Sequence, residues 1–382
     1  MSDTEDPGFA VAPVENDGDE ELTDGIGIAL SGGGYRAMLF HLGFLWRLRD
    51  ARLLKDADRI SSVSGGSITA GALALAWPNI AWNDDGASFR RQVVDPIIAL
   101  AHVTIDIPGA LIGRIPGMSG TYVRSSYDKH LFHGATLQDL PDEPRFIFNA
   151  TSLHSGKLFR FSKPYLAEWS FGRWMNPNNR LSEAVAASSA FPPVLSPVTT
   201  GVAGLVFDPA GGKGRKCPAA FRLTDGGVYD NLGLETLWKR KRTLFVSDGG
   251  AGFDYQDNPS SLLSLQALRV TIMMQDQIGM LRARQMIAGY NAPAGSPLKR
   301  TGFLASIGTQ MKKDRPAGAL PYNSGGADMM AATKTALRSM DDNHIKRLIN
   351  WGYILADDRL RSSPDFSHLP PPNGLPFPGS AV

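Results

Sequence analysis

Two glycine-rich turns, at residues 31–37 and 62–67, supply the parts that acyl transfer needs. The first, Ser31-Gly32-Gly33-Gly34-Tyr35-Arg36-Ala37, follows the apolar run 26–30. Consecutive glycine N–H groups beside a helix start can hold an anion or a developing oxyanion. The second, Ser62-Val63-Ser64-Gly65-Gly66-Ser67, sets Ser64 on a sharp strand-to-helix turn. Such a turn exposes a nucleophile at the carboxyl edge of a parallel sheet. A third turn, Asp225-Gly226-Gly227, offers a carboxylate that can take the serine's proton. Arg36 adds a planar fork suited to a phosphate. Together these parts predict a hydrolase.

Each part also has a plainer reading. Serine is a favoured helix N-cap, and Ser61, Ser62 and Ser67 compete with Ser64 for that role. The glycine run lacks the Lys-Ser/Thr ending of a P-loop and the spacing of a dinucleotide fingerprint, which argues against a nucleotide. Asp248-Gly249-Gly250 repeats the third turn, so the tripeptide alone leaves Asp225 and Asp248 both open. The seven histidines (41, 102, 130, 133, 154, 344 and 368) contain no metal-binding helix pair. None sits in a context that marks a triad base, although His344 follows Asp225 in the order of an α/β-hydrolase triad. Neither a cofactor nor a metal is expected.

The elements that position these residues alternate between strand and helix patterns. Strands are expected at 25–30, at a run ending near Val63, and at 145–152, 157–161, 220–224 and 242–247. Helices are expected at 35–50, 66–77, 181–188, 232–241 and 262–289. That alternation predicts an α/β sandwich with a mainly parallel sheet. Pro96–Met118 is apolar and punctuated by glycine and proline, and reads as a lid, a lipid-contact loop or buried packing. Pro209–Pro218 reads as a surface loop carrying Lys213, Arg215 and Lys216.

Composition sets the class. The chain has 382 residues and one cysteine, Cys217, which excludes an intramolecular disulfide. No run is long and apolar enough for a membrane span. The acidic N-terminus is unlike a secretory signal. Residues 1–24 hold nine acids and no Lys or Arg, and are expected to be disordered. The chain has 39 basic and 37 acidic residues, so the rest of it carries a surplus of eleven positive charges. A basic body favours anionic surfaces. The tail 363–382, with its run of prolines at 370–372, is expected to be disordered.

The ordered set SGGGYRA (31–37), SVSGG (62–66) and DGG (225–227) resembles the patatin-like phospholipases. The SGGGYRAM run also resembles the oxyanion loop of cytosolic phospholipase A catalytic domains. Phe148–Thr151, Gly156–Ser162 and Ala187–Pro193 are further similar stretches. The resemblance spans about 25–250. It implies a three-layer α/β/α sandwich and a Ser–Asp dyad of Ser64 and Asp225 without histidine. It also implies an oxyanion hole at Gly32, Gly33 and Gly34, with Arg36 facing the substrate phosphate. Val228–Gly233 matches the family's run after its catalytic aspartate, which selects Asp225 over Asp248. Two positions depart from the pattern: Ser31 stands for the aspartate of plant-type members, and Ser62 for the first elbow glycine. The implied activity is hydrolysis of acyl esters of phospholipids or related lipids by a cytoplasmic, peripherally membrane-associated enzyme with no nucleic-acid partner. The alternatives are a Ser-His-Asp carboxylesterase and a non-catalytic lipid-binding module. Residues 251–362 are expected to form a mostly helical extension packed on the core.

Overall fold

The computed structural model describes residues 22–106, 118–209, 212–250, 252–253, 255–311 and 314–382. Its centre is a parallel sheet of β1 (Thr23–Leu30), β2 (Ala57–Val63), β3 (Arg145–Ser152), β10 (Lys241–Asp248) and β11 (Thr301–Ser306), in the order β11-β10-β1-β2-β3. Beyond β3 the sheet continues antiparallel through β4 (Leu158–Phe161), β5 (Tyr165–Glu168), β6 (Gly172–Met175) and β8 (Val206–Asp208). Two more strands, β7 (Val198–Gly201) and β9 (Ala220–Asp225), pair with each other, and β9 pairs with β3.

Alternation along the central strands divides the apolar side chains between two cores. Ile28, Leu30 and Phe245 face a large core with α1 (Gly34–Asp50), α2 (Gly65–Ala76) and α5 (Asp342–Ser362). Ala29, Leu244 and Val246 face a smaller one closed by Leu237, Trp238 and Met286, the last on α4 (Leu263–Asn291). Helices on both faces of a central sheet make the three-layer α/β/α sandwich. α1 is buried through all but its last residue, as expected of a helix with apolar side chains on every face.

Several expectations change. The first strand begins at Thr23, inside the segment expected to be disordered; residues 1–21 lie outside the described set. The helix expected at 232–241 shrinks to Glu235–Trp238, because β10 claims the chain from Lys241. Within the expected, mostly helical C-terminal extension, β11 adds an edge strand parallel to β10. The proline-rich tail is laid on the core, with Phe377 and Val382 buried. Asn350 of α5 donates to the carbonyls of Phe377 and Ser380, and Arg47 to that of Pro370. Half of the 96–118 stretch is packing: the helix Asp95–Ala101 buries Ile97 and Leu100, and Ile105 follows it into the core. Residues 107–117, the rest of the suggested lid, lie outside the described set.

Candidate active site

Ser64 and Asp225, the expected nucleophile and base, are brought together by two strands that share one edge of β3. Parallel β2 ends there, its last residue Val63 paired with Asn149. Antiparallel β9 arrives from the other end and stops with Asp225 paired to Ala150. The two strands therefore meet head-on, and Ser64 leaves β2 beside the end of β9. Asp225 is 3% exposed and Ser64 is 9% exposed.

Ser64 has φ 52° and ψ −120°, a left-handed conformation that an L-residue adopts under constraint. Its side chain makes no capping hydrogen bond to α2, which disposes of the N-cap reading. A buried hydroxyl network holds the turn instead. The Ser64 N–H donates to Ser188 Oγ at 2.9 Å, and that hydroxyl donates to the Asn149 carbonyl at 2.6 Å. Ser188 Oγ also lies 2.8 Å from Ser67 Oγ, which donates to Ser62 Oγ. Ser62 in turn donates to the Ile147 carbonyl, so the departure from glycine at the elbow is absorbed by β3. Gly65 allows the close crossing of the two turns: a Cβ there would stand 2.1 Å from the Gly34 carbonyl oxygen.

The Asp225 carboxylate accepts from the Gly227 N–H at 2.7 Å. The Ser64 hydroxyl approaches the same carboxylate and favours its charged form. Burial works the other way and pushes the Asp225 carboxyl up to about 7, which poises it to exchange a proton near neutrality. Asp248 is half-buried and occupied elsewhere. Its carboxylate accepts from the Gly250 N–H and from Ser306 Oγ, each at 3.0 Å, and so ties the ends of β10 and β11.

The glycine run divides. The Gly32 N–H donates to the Asn231 carbonyl at 3.0 Å, which removes it from the expected oxyanion hole. The N–H groups of Gly33, Gly34 and Gly65 have no hydrogen-bond partner among the described residues. Gly33 and Gly34 have φ values of 144° and 62°, where a side chain would be strained. The amide of Asn231 borders the site: a Cβ on Gly32 would lie 2.3 Å from Asn231 Oδ1 and 3.2 Å from Ser64 Cβ.

Arg36 does not face open space where a phosphate could dock. It is 1% exposed, and its guanidinium donates to the carbonyls of Gly249 at 2.9 Å and Thr333 at 2.5 Å. It clamps the glycine-rich loop at 31–37 between the loop after β10 and the segment Thr333–Met340. The same segment caps Tyr35, whose N–H donates to the Ala336 carbonyl. The Leu337 carbonyl accepts the N–H of Ile105. Sequence reasoning left this segment without a role, as it did Asn149, Ser188 and Asn231; it read Gly65 as part of the tight turn but not as an N–H beside Ser64 without a partner among the described residues.

Histidine enters the site only as support. His41 is fully buried, with Nδ1 2.7 Å from Ser247 Oγ and Nε2 2.8 Å from the Ser31 carbonyl oxygen. Burial pushes it down to about 3, so it stays neutral. His344 Nε2 contacts Thr333 Oγ1 at 2.9 Å. No histidine hydrogen-bonds Ser64 among the described residues.

Comparison with known proteins identifies the family and the fold. The family model for patatin-like phospholipase matches residues 28–238. The structure is similar to human GIVD cytosolic phospholipase A2, with a TM-score of 0.54 and 13% identity, covering 91% of this chain and 60% of that one. The same human protein in complex with methyl γ-linolenyl fluorophosphonate gives a TM-score of 0.50 at 14% identity, covering 87% of this chain and 57% of that one. A stretch of 42 residues is 52% identical to part of the meiotic protein SPO1 of Saccharomyces cerevisiae, 11% of this chain and 7% of that one. The chain thus spans less than two thirds of the length of these relatives.

Proposed function

Because the chain belongs to the patatin-like phospholipases, we propose that it is a serine lipid acyl hydrolase of the phospholipase A or lysophospholipase type, working through a Ser64–Asp225 dyad. The observation that carries the proposal is the head-on meeting of β2 and β9 on β3, which sets the strained serine beside a buried carboxylate. Ser64 Oγ attacks the ester carbonyl carbon while Asp225 accepts its proton. The tetrahedral oxyanion is met by the N–H groups of Gly33 and Gly34, with that of Gly65 alongside. Collapse breaks the ester C–O bond, and the Asp225 proton goes to the leaving alcohol. Water then attacks the acyl-enzyme with Asp225 again as base, releasing the fatty acid and freeing Ser64.

Among the described residues no helix is long and apolar enough to cross a membrane. Access to lipid in a bilayer therefore calls for contact at its surface, and the expected substrate is an acyl-ester lipid presented there. Ser64→Ala is expected to abolish both fatty-acid release and labelling by a fluorophosphonate probe. A variant that still hydrolyses and labels would remove Ser64 from the mechanism. His344→Ala, in contrast, should keep turnover within a few-fold, because His344 contacts Thr333 and not Ser64.

A further inference from the structure

α4 is built against the usual rule for a surface helix. Its C-terminal third packs on the sheet: Met286 is buried, Ala283 and Tyr290 lean on the same small core, and the Tyr290 hydroxyl donates to the Leu244 carbonyl. The N-terminal part turns its apolar side chains outward. Leu263 is 78% exposed, Met274 61% and Leu281 60%, and Leu262, Val270, Met273 and Met280 extend the same face. At 1.5 Å per residue, 262–281 is a strip about 30 Å long. Exposed apolar strips of this extent mark interaction surfaces rather than ordinary solvent-facing helices.

Position and charge select the occupant. α4 descends from the loop after β10 and ends against the start of β11, where the Arg300 N–H donates to the Gly289 carbonyl. Its N-terminal part therefore stands at the carboxyl edge of the sheet, the edge from which Ser64 emerges. Phe253, three residues after Gly250, lies under the guanidinium of Arg269 on α4 at 4.2 Å, linking the strip to the loop that Arg36 holds. Between 259 and 291 the chain has one acid, the half-buried Asp276, against Arg269 and the exposed Arg284; Arg282 is engaged in an ion pair with Glu235 at 2.8 Å. Lys334 and Arg338 are exposed on the segment that caps the oxyanion loop. An apolar strip with Arg269 and Arg284 along it, Lys334 on the capping segment, and Asp276 as its one carboxylate complements an anionic lipid surface.

We propose that the outward face of α4 at 262–281 is a docking surface for an anionic membrane, which it uses to bring the carboxyl edge of the sheet to the lipid. Docking is separable from chemistry and is read on protein that cannot turn over. Ser64→Ala protein is floated with vesicles of phosphatidylcholine alone and of phosphatidylcholine with one-third phosphatidylserine, at low and high salt. It should bind the mixed vesicles, more weakly as salt rises. Adding Leu263→Glu, Met274→Glu and Leu281→Glu should reduce bound protein by at least about tenfold, with an unchanged thermal melt. In Ser64-containing protein the triple change should leave hydrolysis of a water-soluble short-chain ester within twofold. Retained flotation of the triple variant, or no flotation of its parent, overturns the proposal. A parent that is dimeric by light scattering and becomes monomeric in the triple variant overturns it too, making the face an interface between copies. Failure of the short-chain assay in otherwise wild-type protein would instead strike at the hydrolase reading and leave the docking result standing.

Discussion

As the proposed base, Asp225 would work from a position where water scarcely reaches it, and that tension has two measurable signs. Burial holds its carboxyl near 7, so the fraction of enzyme with a working base grows as pH rises through that value. The kcat/KM profile is expected to show an ascending limb centred near pH 7, and a flat profile between pH 5 and 8 would contradict it. The second sign is stability. The folded protein keeps the Asp225 proton up to about 7, whereas an ordinary aspartate releases it near 3.8. Between those values the folded state binds more protons, so stability falls as pH climbs and the loss is complete above 7. Asp225→Asn removes this penalty. In urea unfolding the variant should match wild type near pH 4 and exceed it at pH 8, by one to a few kcal/mol, since each pKa unit is worth about 1.4 kcal/mol. Arg36 makes a different point at this scale. Because its guanidinium holds two backbone carbonyls, Arg36→Met should lower kcat by roughly tenfold or more on phosphate-free and phosphate-bearing esters alike. A loss confined to phospholipids would return Arg36 to the substrate.

At the scale of elements, the site is a crossing of turns whose spacing tolerates no side chain. Gly33 has φ 144°, and a Cβ there would come within 2.7 Å of the Gly249 carbonyl oxygen. Gly33→Ala is expected to lower kcat by about a hundredfold with little change in KM, the pattern of a lost oxyanion donor. Equal activity would exclude Gly33 from the hole. The sequence made the parallel centre readable: β1, β3, α1, α2 and α3 (Leu181–Ser188) all fall within two residues of expectation, because each has a clear apolar period and a glycine or serine at its edge. The short strands β5 to β8 escaped notice because three or four residues are too few to show alternation. β11 was hidden by Gly302, at φ 110°, which interrupts a strand pattern while allowing Leu244 to pass close by. Ser64, Asp225 and the glycine turns that the structure brings together were legible as motifs. The engagement of Gly32 by Asn231 and the support of Ser64 by Ser188 and Asn149 were not, since they depend on which strands share an edge of β3.

The whole molecule closes its site with residues far outside the span matched by the family model. The tail contributes to the fold in the same way: Phe377 and Val382 are buried and Asn350 binds the backbone at 377 and 380. Removing residues 364–382 should lower unfolding stability by about 2–4 kcal/mol, the scale of losing large buried side chains, measured by denaturant titration. A truncated protein of undiminished stability would mean the tail rests on the core without supporting it. The placement of Thr333–Met340 has a consequence in time. The carbonyls of Thr333 and Ala336 hold Arg36 and Tyr35, residues made some three hundred positions earlier. A chain emerging from the ribosome thus presents its serine, glycines and aspartate long before the segment that sets the proposed oxyanion loop in place. Such a nascent chain is expected to ignore a fluorophosphonate probe until that segment has left the exit tunnel, so that esterolytic competence waits on the synthesis of Thr333–Met340.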